Sequence, residues 1–233
     1  MQSKKHCSIC GHNIFTFGPG KRRAPSGELP RCARCGCLER HRAYRFALEA
    51  LAPLFVNHPV LQFSNDVSAP REVFTNFTIS EFEGDNHLDL AAIDRPDNSV
   101  GFLIANHVLE HVEDDHAALT EIDRVLTDDG ALFLSVPDLL RVARTKEYGH
   151  ARADKYGHWR LYGPDIVDRW RRAVPAWRGI GVVVRDPVTG APDRATVLSR
   201  SETTIAAASA RLAAAGLSPF DAFAPPQGGE AAA

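Results

Sequence analysis

Five cysteines lie within the first 37 residues of this 233-residue chain, and the rest of the chain has none. Four of them form two C-x-x-C pairs, Cys7 with Cys10 and Cys32 with Cys35, and Cys37 follows as a fifth thiol. A C-x-x-C turn directs two thiolates towards one point, and two such turns supply four soft ligands in a tetrahedral arrangement. We therefore expect a structural metal site on the two pairs, with no position left open for water.

Zn²⁺ is the ion that we expect at this site, and iron of the rubredoxin type is the alternative. Disulfides are disfavoured because the N-terminus shows no apolar secretory leader, and thiols in the cytosol stay reduced. A module of this size buries too little apolar surface to fold alone, so metal binding should drive its folding. We expect a cytoplasmic protein without a membrane span, since no run of about 18 apolar residues is present.

Charge is unevenly distributed along the chain. Residues 1–45 hold ten Lys or Arg against two Glu, a net charge of +8, whereas the whole chain has a formal net charge of −2. A basic module on an acidic body is typical of proteins with an anionic partner such as RNA. A solvated basic surface without a partner is the alternative interpretation.

The remainder of the chain alternates between apolar runs and amphipathic segments. Strands are predicted at 59–64, within 71–82, from 99 and at 131–137, and helices at 38–55, 114–126, 163–174 and 203–217. Segments 180–186 and 194–200 read as an antiparallel hairpin. We therefore predict an α/β fold, a mainly parallel sheet with an antiparallel C-terminal hairpin, preceded by a zinc ribbon. The expected division is ribbon 1–37, connecting helix 38–57, sheet domain 58–217 and disordered tail 218–233.

Residues 107–111, His107-Val-Leu-Glu110-His111, spell H-x-x-E-H, the zinc-binding motif of inverzincin peptidases. That motif works when both histidines face one metal from a single helix. Here His107 directly follows a predicted strand, and Asp114 or Asp115 begins the next helix after His111. We therefore do not expect a peptidase.

The segment NHVLEHVEDDHAALTEIDRVLTDDGALFLSVP (106–137) resembles class I S-adenosylmethionine-dependent methyltransferases, in particular those like the type 11 enzymes of ubiquinone and menaquinone biosynthesis. In these proteins a strand, a His-rich turn, a helix ending in RVL, a Gly turn and a strand follow one another in this order. The stretches CSICG, RCARCGCLERHR and GHWRLYGPD are similar to a bacterial subset with an N-terminal four-cysteine ribbon. The resemblance implies a Rossmann-like methyltransferase sheet that binds S-adenosylmethionine.

The resemblance also implies where the cofactor lies. It assigns the methionine part to the first strand end and to the residues after a later strand, the ribose to an acid after the second strand, and the adenine to the segment HLDLAAI. The corresponding residues are Phe63, Ser64, Asn65, Glu81, Asp89, Leu90, Asn106 and His107. Glu81 as a solvated acid and Asp89 as a loop cap are the alternatives. The chain departs from the family at LQFSNDVSAP, which has no glycine where G-x-G is common.

Methyl transfer to an oxygen or nitrogen acceptor requires positioning and the removal of one proton, for which histidine is suited. His107, His111 and His158 are the candidate catalytic bases, and Arg160 and Tyr162 the candidate acceptor-binding residues. Each histidine has a structural role as its alternative. We expect a small-molecule or sugar acceptor. The alternatives are an RNA methyltransferase that uses the basic module, and a degenerate domain that acts as a zinc-dependent interaction module.

Overall fold

The computed structural model describes residues 5–81, 84–137 and 141–224. At the N-terminus, strands β1 (Phe15–Thr16) and β2 (Arg31–Cys32) pair antiparallel within a small ribbon, defined here as residues 7–37. Helix α1 (Glu39–Leu51) follows and confirms the helix predicted over 38–55. It is more than a connection, because its apolar side packs into the same core as strands of the large sheet.

The other elements of the described part follow in chain order. The strands are β3 (Pro59–Phe63), β4 (Asn76–Ser80), β5 (Val100–Asn106), β6 (Leu126–Ser135), β7 (Lys146–Arg152), β8 (His158–Leu161), β9 (Arg178–Arg185), β10 (Pro192–Ser199) and β11 (Phe220–Asp221). The helices are α2 (Asp115–Val125), α3 (Ile166–Ala173) and α4 (Glu202–Ala214).

A seven-stranded sheet organises the body, in the order β11-β9-β10-β6-β5-β3-β4. Strands β3 to β6 run parallel, and β10 is antiparallel to both β6 and β9. This arrangement confirms the predicted fold class. The chain adds β4 on one side of β3 and β5 on the other, so strand order reverses at β3. Open α/β sheets bind ligands at such a reversal, in the crevice outside the carboxyl ends of the strands. We call that edge the carboxyl edge.

Two apolar layers cover the sheet, and they follow the alternation of side chains along each strand. On one face, Leu103 and Leu132 pack with α2 and α3, and on the other face Phe102 and Phe133 pack with α1 and α4. Helix α2 begins where predicted, because the side chain of Asp114 accepts a hydrogen bond from the backbone N–H of Ala117 at 2.9 Å.

Two features differ from the expectation. Strands β7 and β8 form a separate two-stranded antiparallel sheet that the sequence pattern did not reveal. The segment 218–233, expected to be a disordered tail, contains β11, in which Phe220 pairs with Gly181 of β9. A side chain at Gly181 would collide with the Phe220 ring, since a Cβ there would lie 2.3 Å from it. Residues 225–233 lie outside the described residues. No described helix combines the length and apolarity needed to cross a bilayer.

Candidate functional site

The four predicted cysteine ligands converge in the ribbon, with their Sγ atoms within 4.8 Å of one another. The Sγ atoms of Cys7 and Cys35 lie 3.7 Å apart, and those of Cys10 and Cys32 lie 3.6 Å apart. Tetrahedral Zn²⁺ with Zn–S bonds of about 2.3 Å requires sulfurs about 3.8 Å apart. The cluster therefore fits a structural zinc ion held by four thiolates.

Cys37 lies beside this cluster, with its Sγ 3.4 Å from that of Cys7. Arg42 of α1 donates a hydrogen bond to the Cys37 carbonyl at 3.3 Å and two to the Asp186 carboxylate at 2.7 and 2.8 Å. Both charged side chains are fully buried. Burial alone would raise the pKa of Asp186, but hydrogen bonds from Arg42 and Thr189 outweigh it and lower that pKa. One ion pair thus joins the ribbon, α1 and the β9–β10 turn.

The predicted cofactor residues line up along the carboxyl edge. Strand β3 pairs in parallel with β4 and β5, and the register of these pairs sets Ser64 and Glu81, which follow β3 and β4, beside Asn106, the last residue of β5. His107 follows Asn106, and its backbone N–H donates to the carbonyl of Ser135 at the end of β6. Four consecutive strands of the sheet therefore contribute to one edge.

Two residues at the reversal point have left-handed backbone conformations, Ser64 with φ 67° and His107 with φ 54°. Such angles are uncommon outside glycine and concentrate at functional sites. Ser64 occupies the position after the first strand, where the resembling family commonly has glycine. It adopts the conformation that glycine supplies most easily. The absence of glycine therefore does not prevent this turn from forming.

Hydrogen bonds hold the loop after β3 against β5. Gln62 donates from Nε2 to the carbonyls of Ser64 and Asp66 at 2.6 and 2.9 Å, and the N–H of Ser68 donates to the Asp66 carboxylate at 2.6 Å. Asn106 donates to the Ser68 hydroxyl at 3.1 Å. Oε1 of Gln62 is buried and accepts no hydrogen bond from a described residue. Gln62 itself is only 1% exposed, so this oxygen lies inside the fold near the end of β3.

The other predicted cofactor residues have mixed surroundings. Glu81 follows β4, and its side chain lies against Gly84. A Cβ at Gly84 would lie 3.2 Å from Oε2 of Glu81, so the glycine leaves space for the carboxylate. Asp89 accepts a hydrogen bond from the N–H of Ala91 at 2.9 Å, as expected for a loop cap. Leu90 is buried in the core beside α2. Asn65 accepts from Arg71 at 2.8 Å. Of these residues, Glu81 presents a carboxylate of the kind that accepts hydrogen bonds from hydroxyl donors.

The H-x-x-E-H segment does not form one helix. His107 follows β5, a 3₁₀ turn spans Leu109–His111, and α2 begins only at Asp115. The expectation that the two histidines are not stacked on a helix is confirmed. Burial lowers the pKa of His107 to about 3, and its Nε2 lies 3.3 Å from the Tyr44 hydroxyl. His107 is therefore neutral at physiological pH.

A different grouping occurs at this segment, which we call the Glu–His–His cluster: Glu110, His111 and His158. One potential ligand atom from each lies within 4.8 Å of the others. Glu110 is buried, and burial raises its pKa to about 8. The His111 and His158 rings meet edge to face, with centroids 4.7 Å apart. The sequence did not indicate this grouping, because His158 is distant along the chain and β8 was not predicted.

Arg160 and Tyr162, the predicted acceptor-binding residues, have internal partners. The Arg160 guanidinium donates to the carbonyls of Val112 and Glu113 at 2.5 and 2.6 Å and to the Glu147 carboxylate at 3.1 Å. The Tyr162 hydroxyl donates to Asp115 at 2.9 Å. An acceptor-binding role would require this network to open. In the structure, the hydrogen bonds of Arg160 and Tyr162 hold β8 against the start of α2 and so position His158.

Comparison with known proteins found one family model and several similar solved structures. Residues 70–134 match the model of the family described as methyltransferase domain. Similar solved structures include a SAM-dependent methyltransferase from Thermotoga maritima (14% identity, 68% of this chain and 89% of that chain covered, TM-score 0.40). Another is 1,6-didemethyltoxoflavin-N1-methyltransferase from Burkholderia thailandensis with S-adenosylhomocysteine bound (15% identity, 67% and 77% covered, TM-score 0.47). No curated protein matches the chain. The family match covers the segment from β4 to β6, the part of the chain that carries the resemblance noted in the sequence.

Proposed function

We propose that the protein transfers a methyl group from S-adenosylmethionine to an oxygen or nitrogen atom of a small molecule or sugar. The observation that carries this proposal is the pair of left-handed residues, Ser64 after β3 and His107 after β5, at the strand reversal of a sheet in which residues 70–134 match a methyltransferase domain. S-adenosylmethionine supplies the methyl group from its sulfonium. The protein then contributes chiefly by positioning the two reactants.

The residues of the carboxyl edge would have different roles in binding the cofactor and in transferring a proton. Glu81 offers a carboxylate for ribose hydroxyls, and Asn106 is held in place by the hydroxyls of Ser68 and Ser135. His107 would serve poorly as a general base, because a pKa of about 3 makes it a weak proton acceptor. His111 is exposed, and we propose it as the better candidate for the proton acceptor.

RNA ranks behind a small molecule as the acceptor because part of the positive charge of the N-terminal module is neutralised internally. Arg22 pairs with Glu39, Arg42 with Asp186, and Arg45 with both Glu49 and Glu72. Side chains held in ion pairs have less charge to offer to phosphates.

Calorimetric titration of S-adenosylmethionine into the zinc-loaded protein tests the proposal. We expect one site with micromolar affinity. Glu81→Ala should weaken binding about 10-fold or more, since hydrogen bonds to a charged group contribute about 1.5–3 kcal/mol. Asp94→Ala, which removes an exposed acid outside the carboxyl edge, should have no effect.

Unchanged affinity in Glu81→Ala would show that the assigned site is wrong. No heat of binding together with no thermal shift would favour the degenerate interaction module over the enzyme.

A further inference from the structure

The Glu–His–His cluster brings a carboxylate and two imidazoles together beside the carboxyl edge. Two histidine nitrogens and one carboxylate oxygen are the protein ligands of many catalytic zinc sites, and first-row divalent cations generally accept this set. We propose that Glu110, His111 and His158 bind a divalent first-row metal ion, at a site distinct from the four-cysteine cluster of the ribbon.

The strongest support is the carboxylate of Glu110. Its side chain is 1% exposed, and neither of its oxygens has a hydrogen-bond partner among the described residues. The nearest basic group, Nδ1 of His107, is 3.8 Å from Oε1, which is beyond hydrogen-bond distance. Buried polar groups are nearly always satisfied, and an exception calls for a specific explanation such as an ion. A cation between Glu110 and the two histidines would supply the missing partner.

The local fold brings the three ligands together. Glu110 and His111 are consecutive in the 3₁₀ turn Leu109–His111, and His158 begins β8. The hydrogen bonds of Arg160 to the backbone at Val112 and Glu113 tie β8 to the segment that follows the turn. The 3₁₀ turn and β8 therefore hold the three side chains of the cluster close together.

The three ligand atoms are near enough for one metal ion after a small rearrangement. Zn²⁺ binds nitrogen and oxygen ligands at about 2.0–2.2 Å, so tetrahedral ligand atoms are about 3.3–3.6 Å apart. The three atoms lie within 4.8 Å of one another, so they would approach by up to about 1.5 Å on metal binding. Three protein ligands also leave at least one position open, as in catalytic sites.

A cation at this cluster would lie near His107, because Nδ1 of His107 is 3.8 Å from Oε1 of Glu110, and His107 is one of the residues assigned to the cofactor. Its open position would favour an acceptor that binds metals through oxygen, such as a hydroxyl compound. This choice of acceptor class rests on the proposed function, whereas metal binding itself does not.

Mn²⁺ is a suitable probe, because it prefers oxygen and nitrogen ligands and competes weakly for a four-thiolate site. We would titrate zinc-loaded, dialysed protein with MnCl₂ and follow free Mn²⁺ by electron paramagnetic resonance. One Mn²⁺ per chain is expected to bind. Glu110→Gln and His158→Ala should each weaken binding about 10-fold or more, as losing even an outer-shell partner costs 10–100-fold. His116→Ala, an exposed histidine near the start of α2, is the matched control and should bind as the wild type does.

No binding of Mn²⁺ to the wild type, or equal affinity in the wild type and both variants, would overturn the proposal. If Glu110→Gln does not fold, broadening of the His111 and His158 imidazole resonances by Mn²⁺ in the wild type decides the matter. A separate calorimetric titration with S-adenosylmethionine distinguishes the two proposals. Mn²⁺ binding without cofactor binding would reject the proposed function alone, and the reverse result would reject the metal site alone.

Discussion

Replacing Asp186 with alanine should destabilise the whole protein, because the carboxylate is the buried counter-ion of Arg42. Both side chains are 0% exposed, and the two hydrogen bonds between them measure 2.7 and 2.8 Å. The substitution leaves the guanidinium buried without a counter-ion, which costs about 3–5 kcal/mol. For a protein of this size 1 kcal/mol corresponds to about 2–4 °C, so Tm should fall by roughly 6–20 °C.

The double variant Arg42→Met/Asp186→Leu provides the contrast. Replacing both members of a buried ion pair by apolar residues is often neutral, so most of the loss should be recovered. Some cost remains, because the carbonyls of Pro30 and Cys37 lose the donors that Arg42 provides. Differential scanning calorimetry of the zinc-loaded proteins measures the Tm of the wild type, of Asp186→Ala and of the double variant. Asp128→Ala is the control, since its carboxylate is almost fully exposed and such pairs contribute about 0–1 kcal/mol.

Two results would refute this reasoning. The first is a Tm of Asp186→Ala that matches the Tm of the Asp128→Ala control. The second is a double variant whose Tm is as low as that of Asp186→Ala, since removing both members of the pair should recover most of the loss.

Other predictions address separate parts of the molecule. Chelation of zinc under reducing conditions should unfold the ribbon and release one zinc ion per chain, which a colorimetric zinc indicator measures. A zinc-free protein with the same stability as the zinc-loaded protein would refute the cysteine site. Ser64→Gly should keep or raise Tm and Ser64→Val should lower it, because left-handed backbone costs a non-glycine residue about 1–2 kcal/mol; the opposite order would contradict the observed turn. Leu119→Ala, in the core face of α2, should cost about 2–5 kcal/mol in urea unfolding, and a cost below 1 kcal/mol would argue against that packing. The pKa of Asp186 is lower in the folded state than its ordinary value of about 4. Its stabilisation is therefore complete above that value and is lost as the pH falls through the lowered pKa, so the stability difference between wild type and Asp186→Asn should shrink on acidification below about pH 4.

Features whose cause is local could be predicted from the sequence. The two C-x-x-C turns predicted the cysteine cluster, because each turn needs only its own residues to direct two thiolates to one point. Helix α2 was predicted from its capping residue, Asp114, and from the spacing of its apolar side chains. The C-terminal hairpin was predicted because two β-rich runs flank a turn. In each case the segment itself contains the physical reason for its structure.

Features that depend on distant pairing could not be predicted in this way. Strand β7 is largely polar and exposed, and β8 has only four residues, so neither shows the apolar alternation that marks a half-buried strand. The left-handed conformation of Ser64 is set by the loop packed against β5, and serine carries no signal for it. Arg160 and Tyr162 looked like ligand-binding residues, yet their partners are backbone carbonyls and acids brought close only by the fold.

The H-x-x-E-H segment shows how backbone conformation decides what a motif can bind. The motif brings its two histidines together only if the intervening residues are helical, and the left-handed conformation at His107 prevents this. The chain then turns so that Glu110 is buried and His111 stays exposed. The second imidazole of the proposed metal site comes instead from His158, on a strand held in place by Arg160. The spacing of the motif alone does not predict a cation at this position, because one of the proposed ligands, His158, is brought there by the tertiary structure.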